Sequence, residues 1–355
     1  MRFQRPLPPE DLESIRLSAV ALWPELKGAR IFIAGATGFF GRWLIESLLS
    51  ADARYGLGVR ITALSRDPEA FLNRAPHLAG AGLTWVKGSV ATLAPELFSG
   101  EKFDAVVHLA TEGDLDASTT HPAAMVGVIT GGTRRALDVA VRCGAKRFLF
   151  TSSGAVYGKQ PANVEFMAES YPGVPDLTDL QNPYAHPGEA KRQAELLCVE
   201  AARRDGLNAV IARGFTFAGP GLPPDSKFAF GNFIRDAIAG GPIVIKGDGT
   251  PIRSYLHAID LTVWLWTLLM KGRSGRAYNV GSEKPVAMLD LARAISREFG
   301  NQDIKVLGGT PVAGVPERYV PSTLRARDEL GLSETLELSE IVRRTAAWHR
   351  LALKH

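Results

Sequence analysis

Residues 30–41 read Arg-Ile-Phe-Ile-Ala-Gly35-Ala-Thr37-Gly38-Phe39-Phe40-Gly41. An apolar run of strand length ends at a glycine, two more glycines follow at three-residue spacing, and a helix-like stretch, FFGRWLIESLLSA, opens at once from Phe39. A strand that turns straight into a helix presents the unpaired N–H groups of the helix N-terminus to an anion. Each glycine has its own reason: a tight turn, close backbone approach to a pyrophosphate, and close helix–strand packing. The stretch therefore predicts a dinucleotide site formed by Gly35, Thr37, Gly38, Phe39, Phe40 and Gly41.

The same alternation continues outward. Short apolar strands are read at residues 60–64 (RITAL), 83–86 (LTWV), 104–109 (DAVVHL), 147–151 (RFLFT) and 209–212 (AVIA), with helical stretches at 123–143 and 189–204. Continuous apolar strands alternating with helices indicate a parallel sheet covered on both faces. The expected fold is α/β, a Rossmann-type doubly wound parallel sheet. Beyond Gly219 the texture becomes loop-rich, with shorter pieces: helices at 232–239, 260–270 and 288–299, and strands at 243–245 and 277–280. The expected organisation is an N-terminal helical arm (1–28), a dinucleotide-binding domain (29–218, with returning segments around 252–282) and a smaller C-terminal α/β substrate domain (219–355).

Composition excludes several classes. Of 355 residues, 46% are apolar and 22% charged, which is globular rather than disordered. The apolar run LTVWLWTLLM at 261–270 is short of the roughly 20 residues that span a bilayer. Glu10, Asp11 and Glu13 precede the first apolar stretch, unlike a secretory leader, so neither export nor a membrane anchor is expected. Cys143 and Cys198 form no CxxC or metal-ligand spacing, which suits a reducing, cytoplasmic setting and no bound metal. The net charge of +4 comes without a dense Lys/Arg block, so no nucleic-acid partner is expected. A few arginines that hold an anionic small molecule account for the excess.

In NAD enzymes of this fold an acidic residue at the end of the second strand binds the ribose hydroxyls. Here that position is Ser65, followed by Arg66 and Asp67. Serine does not repel a 2′-phosphate and arginine pairs with one, so NADP(H) is favoured over NAD(H), with Asp67 the residue left to serve a ribose.

The GxxGxxG spacing resembles the short-chain dehydrogenase/reductase superfamily, and the chain length resembles its extended branch. Further stretches agree: His108-Leu109-Ala110, Thr151-Ser-Ser153-Gly-Ala-Val-Tyr157-Gly, Asn182-Pro-Tyr184 ahead of Lys191 and Glu195, Arg253-Ser-Tyr-Leu-His-Ala-Ile-Asp260 and Tyr278-Asn-Val-Gly-Ser282. From about residue 29 onward the chain resembles the NAD(P)-dependent nucleotide-sugar epimerase/dehydratase family. The resemblance implies transient hydride transfer at a sugar carbon of a nucleotide-diphosphate sugar. It implies Ser153, Tyr184 and Lys191 as the catalytic group, with Lys191 also on the nicotinamide ribose. It places Ser89, Val90, Leu109, Ala110 and Thr111 along the cofactor, and Thr216, Asn232, Arg253 and Arg318 around the substrate. It also implies a homodimer built from the helices at 123–143 and 189–204.

The chain departs from that pattern at several places, among them Thr216 where the family has an Asn and Ser89 where it has an Asp. The family spacing is YxxxK, but Tyr184 and Lys191 are seven apart, with His186-Pro187-Gly188 resembling an insertion. Seven residues climb about 10.5 Å along a helix, against about 6 Å for four. Proline is at home in a first helical turn, so the helix is expected to begin near Pro187 with Tyr184 in the loop before it. Either that loop folds back and Tyr184 is the base, or His186 replaces it, or the protein binds without turnover. In addition, the dehydratases carry Asp-Glu where this chain has Gly154-Ala155, and neither residue moves a proton. The epimerase pattern fits best. A 4,6-dehydratase, a 4-keto reductase and a weakened nucleotide-sugar binder remain as alternatives. Glu112 and Asp114 are further acidic candidates near the pocket.

Overall fold

The computed structural model describes residues 5–80, 82–110, 122–179, 182–224, 228–309 and 315–352. Six strands in chain order make up most of the large sheet: β1 (Arg30–Ala34), β2 (Arg60–Ser65), β3 (Leu83–Lys87), β4 (Ala105–His108), β5 (Arg147–Ser153) and β6 (Asn208–Gly214). They lie in the order β3-β2-β1-β4-β5-β6, with the strand Ala277–Val280 added beside β6, and every pairing is parallel. The Rossmann-type doubly wound sheet expected from the alternation is thus what forms. β1 is flanked by β2 on one side and β4 on the other, so the strand order reverses there. Ligands of open α/β sheets bind beyond the carboxyl ends of the strands at that reversal.

The sheet is buried on both faces. Ile31, Ile33, Val107 and Leu149 face one core with Trp43, Trp264 and Trp266, while Phe32, Val106, Phe148 and Phe150 face another with Ile129, Val139 and Ala194. This is why the strands read as continuous apolar runs instead of alternating ones. The apolar run at 261–270 lies in the helix Ala258–Lys271, buried against the first core. Among the described residues no helix is long and apolar enough to cross a membrane. The N-terminal segment forms the helix Pro9–Ser18 and a short turn Trp23–Leu26, and Trp23 packs edge-on against Trp266 with ring centroids 6.2 Å apart.

A third core, with Phe230, Phe233, Ile234, Leu291, Ile295 and Ile341, is built by C-terminal helices. Small strand pairs accompany it, and one three-stranded sheet brings Arg318–Tyr319 alongside Ile252–Arg253, pairing Tyr319 with Arg253. Several element bounds differ from the sequence reading. The last of the six strands extends to Gly214, because its carboxyl end continues to pair with Ser153 of β5. The helix placed at 232–239 runs from Ala229 to Ile238, so Asn232 lies in its first turn and does not open it.

Candidate active site

The glycine turn sits where the reversal predicts. Gly38 is the N-cap of the helix Phe39–Tyr55. Gly35 has φ +89°, and a Cβ there would lie 2.7 Å from the Ala110 nitrogen and 2.8 Å from the Leu109 carbonyl carbon. A Cβ on Gly41 would collide with the backbone oxygens of Gly35 and Ala36. These two positions are glycine because the protein's own backbone requires it. Gly38 is different: its φ is −77°, and a Cβ would meet only the Gly35 oxygen at 3.4 Å, an ordinary contact. Nothing inside the chain demands glycine there, while a pyrophosphate laid against the helix N-terminus does. The residues present therefore fit a dinucleotide.

At the end of β2, Ser65 is buried and its hydroxyl accepts from the Asp67 N–H at 3.2 Å. The Asp67 carboxylate accepts from the Ala70 N–H at 3.0 Å, capping the short helix Pro68–Leu72. Asp67 thus has local work as a helix cap, and Arg66 stands exposed beside it. Ser89 is likewise a cap, accepting from the Ala91 N–H at 3.2 Å, with Val90 buried behind it. Leu109 and Ala110 form the wall against Gly35. Thr111, Glu112 and Asp114 lie outside the described residues.

The second corner gathers at the end of β5. The helix Ala185–Asp205 starts immediately after Tyr184, and the Gly188 N–H donates to the Tyr184 carbonyl at 2.9 Å. Tyr184 lies just outside the helix, as expected, but the expected start near Pro187 is corrected. Pro187 is the third residue of an unbroken helix, where its missing N–H has no intrahelical acceptor to lose. Tyr184, at the N-cap, and Lys191 are consequently separated by nearly two turns of an unbroken helix. What draws the helix start inward is Gly188: a Cβ there would stand 2.5 Å from the Ala155 carbonyl oxygen. The glycine of the insertion lets the first turn lie directly on the chain that follows Ser153. Tyr184 itself is 45% exposed.

Lys191 is buried, donates to the Thr151 carbonyl at 2.7 Å and lies 4.7 Å from the Phe150 ring centre. Burial lowers its ammonium to a pKa of about 8. Beneath it, burial and then the Lys191 charge drive His108 down to about 3, so this histidine is neutral. Its Nε2 pairs with the Thr133 hydroxyl at 3.1 Å, and Thr133 in turn donates to the Ile129 carbonyl. Ser153 accepts from the Ala155 N–H at 3.1 Å.

Residues to which the sequence reading assigned no role hold this corner together. The Glu195 carboxylate accepts from Ser152 at 2.6 Å and from two guanidinium nitrogens of Arg213 at 2.9 and 2.6 Å. Arg213 also donates to the Tyr157 hydroxyl at 2.9 Å, which donates to Asn279 at 2.7 Å. Such bidentate, charge-assisted bonding locks geometry more firmly than single neutral bonds. Among the substrate candidates, Thr216 donates to the Ser254 carbonyl, and Asn232 accepts from Arg235 at 3.1 Å. Arg253 pairs with Glu317 at 2.6 Å, and among the described residues the buried Nε of Arg318 has no hydrogen-bond partner. Arg253 and Arg318 lie on adjacent strands. Arg253 and Thr216, by contrast, are tied to the protein's own groups.

A doubly wound sheet with a glycine-lined helix N-terminus at its reversal is the class of fold that binds dinucleotides. Comparison with known proteins makes the class specific. The family model described as the NAD dependent epimerase/dehydratase family matches residues 31–281, and the chain belongs to that family. A curated dTDP-glucose 4,6-dehydratase of Streptomyces niveus is 28% identical over 331 residues, covering 90% of this chain and 93% of that protein. UDP-glucuronic acid decarboxylase 2 of Arabidopsis thaliana is 27% identical, covering 88% of this chain and 66% of that protein. Among solved structures, a UDP-glucose 4-epimerase of Thermotoga maritima superposes with a TM-score of 0.78 at 21% identity, covering 91% of this chain and 99% of that one. The dTDP-glucose 4,6-dehydratase DesIV of Streptomyces venezuelae, with NAD bound, gives a TM-score of 0.76 at 24% identity, covering 91% and 97%.

Proposed function

We propose that the protein is an NAD(P)-dependent enzyme acting on a nucleotide-diphosphate sugar, with epimerisation through transient hydride transfer the reading its site supports best. The observation that carries the choice is Gly154-Ala155. Removal of water from a sugar needs a proton donor and a proton acceptor, and these two residues have neither. Epimerisation needs only a base on one hydroxyl and reversible hydride acceptance, which the nicotinamide ring supplies when bound. The chain's own residues do the rest. Tyr184 takes the hydroxyl proton, Ser153 orients the same oxygen, and Lys191 holds the nicotinamide ribose and stabilises negative charge beside it. Gly35, Thr37, Gly38, Phe39, Phe40 and Gly41 hold the pyrophosphate. Ser65 and Arg66 favour NADP(H), because Asp67 is occupied as a cap. Asn232, Arg253 and Arg318 serve the nucleotide-diphosphate end, and Thr216 lies toward the sugar.

A second reading, 4-keto reduction of the same substrate class, draws on the same Gly154-Ala155 pair and on Arg66, since a net reduction consumes a stoichiometric hydride donor. One assay separates the readings. UDP-, dTDP-, GDP- and CDP-sugars are incubated with the purified protein and NAD(P)(H), and cofactor absorbance and product are followed. A stereoisomer formed with no net cofactor change supports epimerisation, stoichiometric oxidation of NADPH supports reduction, and a 4-keto-6-deoxy product overturns both. The protein is also proposed to be a homodimer through the helices Pro122–Arg142 and Ala185–Asp205, on whose surfaces Val141 and Leu196 stand exposed. A solution mass of one chain, 38.3 kDa, in place of twice that value would overturn the dimer.

A further inference from the structure

The cofactor helix carries a buried ion pair that the proposed chemistry does not use. Arg42 and Glu46 lie about one and two turns beyond Gly38, pair at 2.9 Å and are only 4% and 5% exposed. An ion pair this deep is stable only when its remaining donors and acceptors are met. They are met from two other parts of the chain. The Leu7 N–H donates to Glu46 at 2.7 Å, and Arg42 donates to the Arg5 carbonyl at 2.7 Å. His77, in the short turn Pro76–Leu78, places its Nε2 3.3 Å from the same carboxylate. Burial opposes ionisation of Glu46, but His77, Arg42 and the Leu7 N–H outweigh it and hold the carboxyl below the ordinary range.

Three segments therefore meet at Glu46. The helix Phe39–Tyr55 offers its N-terminus to a pyrophosphate. The segment that follows β2 carries Arg66 and ends at the turn Pro76–Leu78. The third is the N-terminal arm, which lies outside the residues 31–281 that the family model matches. The arm is itself anchored. Leu7, Ile15 and Trp23 are buried in the first core. Asp11 is fully buried and pairs with Arg344 of the C-terminal helix Leu338–Ala352, whose Trp348 donates to the Pro6 carbonyl at 3.2 Å. Arg344 and Trp348 also lie outside the match, so the arm and its anchor form a unit apart from the family pattern.

We propose that the N-terminal arm positions the dinucleotide: anchored on the C-terminal helix, it lends backbone groups of Arg5 and Leu7 to the Arg42–Glu46 pair and so fixes the cofactor helix against the segment that carries Arg66. This rests on the dinucleotide site proposed above. A ligand that spans the pyrophosphate and adenosine contacts needs both in register at once, whereas one that touches a single contact does not. Without the arm the pair keeps its charges but loses two partners where water does not reach. Unmet groups of that kind cost enough that the first turns of the helix and the His77 turn shift to recover them. Arg42 and Glu46 are thus positioning residues that act through the helix, and Asp11 acts through the arm.

The test uses the full chain with Asp11→Ala, which detaches the arm from Arg344, with Glu46→Gln, which keeps an acceptor for the Leu7 N–H but removes the charge facing Arg42 and His77, and with both together. Binding of NADP(H) and NAD(H) is titrated beside binding of adenosine and adenosine 2′-monophosphate, which reach only the Arg66 end. Each single variant is expected to weaken the dinucleotide by about tenfold and to leave the adenosine fragments within about twofold, a split that a general loss of packing does not produce. The double variant should lose little beyond the worse single one, since both act through one cluster. Equal weakening of fragment and dinucleotide, no weakening of either, or a simple sum of the two losses overturns the role of the arm while leaving the dinucleotide site intact. Should a variant fail to fold, Trp348→Phe removes only the indole N–H bonded to Pro6, and the same split is expected at about twofold; its absence overturns the proposal equally. A wild type that binds neither dinucleotide overturns the cofactor reading itself, and the role of the arm with it.

Discussion

The glycine turn and the corner at the end of β5 lie side by side beyond the same strand ends, yet they are built on different terms. The turn is local. Twelve consecutive residues contain strand, turn and helix start, and two of its glycines are required by the backbone of that stretch and of Leu109-Ala110. The corner is assembled from β5, the helix Ala185–Asp205, β6 and the strand Arg318–Tyr319, segments that together range from residue 147 to residue 319. A local motif survives as spacing. An assembled one shifts its residues between elements while keeping a pocket, which is why GxxGxxG is intact here and YxxxK is not.

The largest effect is expected at the corner. Tyr184→Phe should reduce turnover roughly a thousandfold, the usual worth of a general base, with cofactor affinity unchanged in a binding titration. Full activity in that variant would remove Tyr184 from the mechanism and make His186→Ala the decisive substitution. Next comes the contrast within the turn. Gly35→Ala should cost about 3 kcal/mol of stability in urea unfolding, from the positive φ and the contact with Ala110. Gly38→Ala should change stability by only about 0.5 kcal/mol or less, in keeping with an ordinary contact, and yet weaken cofactor binding by roughly tenfold or more. If Gly38→Ala binds the cofactor normally, the distinction between a glycine for the fold and a glycine for the ligand fails.

A smaller change is expected at the adenosine end. Arg66→Asp should move the preference from NADP(H) toward NAD(H) by about tenfold, a single charge-assisted contact. A wild type that already binds NAD(H) more tightly contradicts the proposal.

The smallest effect concerns the floor shared by both regions. His108 precedes the Leu109-Ala110 wall and feels the Lys191 charge, and its folded pKa of about 3 lies below the ordinary histidine value. As pH falls, the unfolded chain takes up a proton before the folded one does, so stability is lost on acidification below about 6.5. Between pH 6 and pH 5 this amounts to about 1 kcal/mol. His108→Gln retains a donor toward Thr133 and should flatten the fall in urea midpoint over that interval by this amount. An identical fall in wild type and variant would show that His108 is not held neutral.

How much was legible follows from the same contrast. Strand runs such as RIFIA and RFLFT announce the sheet because burial on both faces leaves no room for polar alternation. Ser65 and Arg66 could be read because they sit at a set distance from the first motif. The helix start at Ala185 was misplaced, since Pro187 is equally compatible with first and third positions, and only the close approach of Gly188 to Ala155 distinguishes them. Gly154-Ala155 was visible as a departure from the acidic pair. Nothing in the spacing connected Gly154 to Tyr319, more than 160 residues later, whose hydroxyl lies 2.5 Å from where a Cβ on Gly154 would stand.

By itself, then, the sequence determined the sheet, the glycine turn and the family, because each depends on hydrophobic period, glycine geometry and short-range order. Only the tertiary structure decided which hydroxyl stands before Gly154, what pins Arg213, and how Tyr184 meets the helix that carries Lys191. Those arrangements depend on contacts between segments distant in the chain, whose distances no local spacing records.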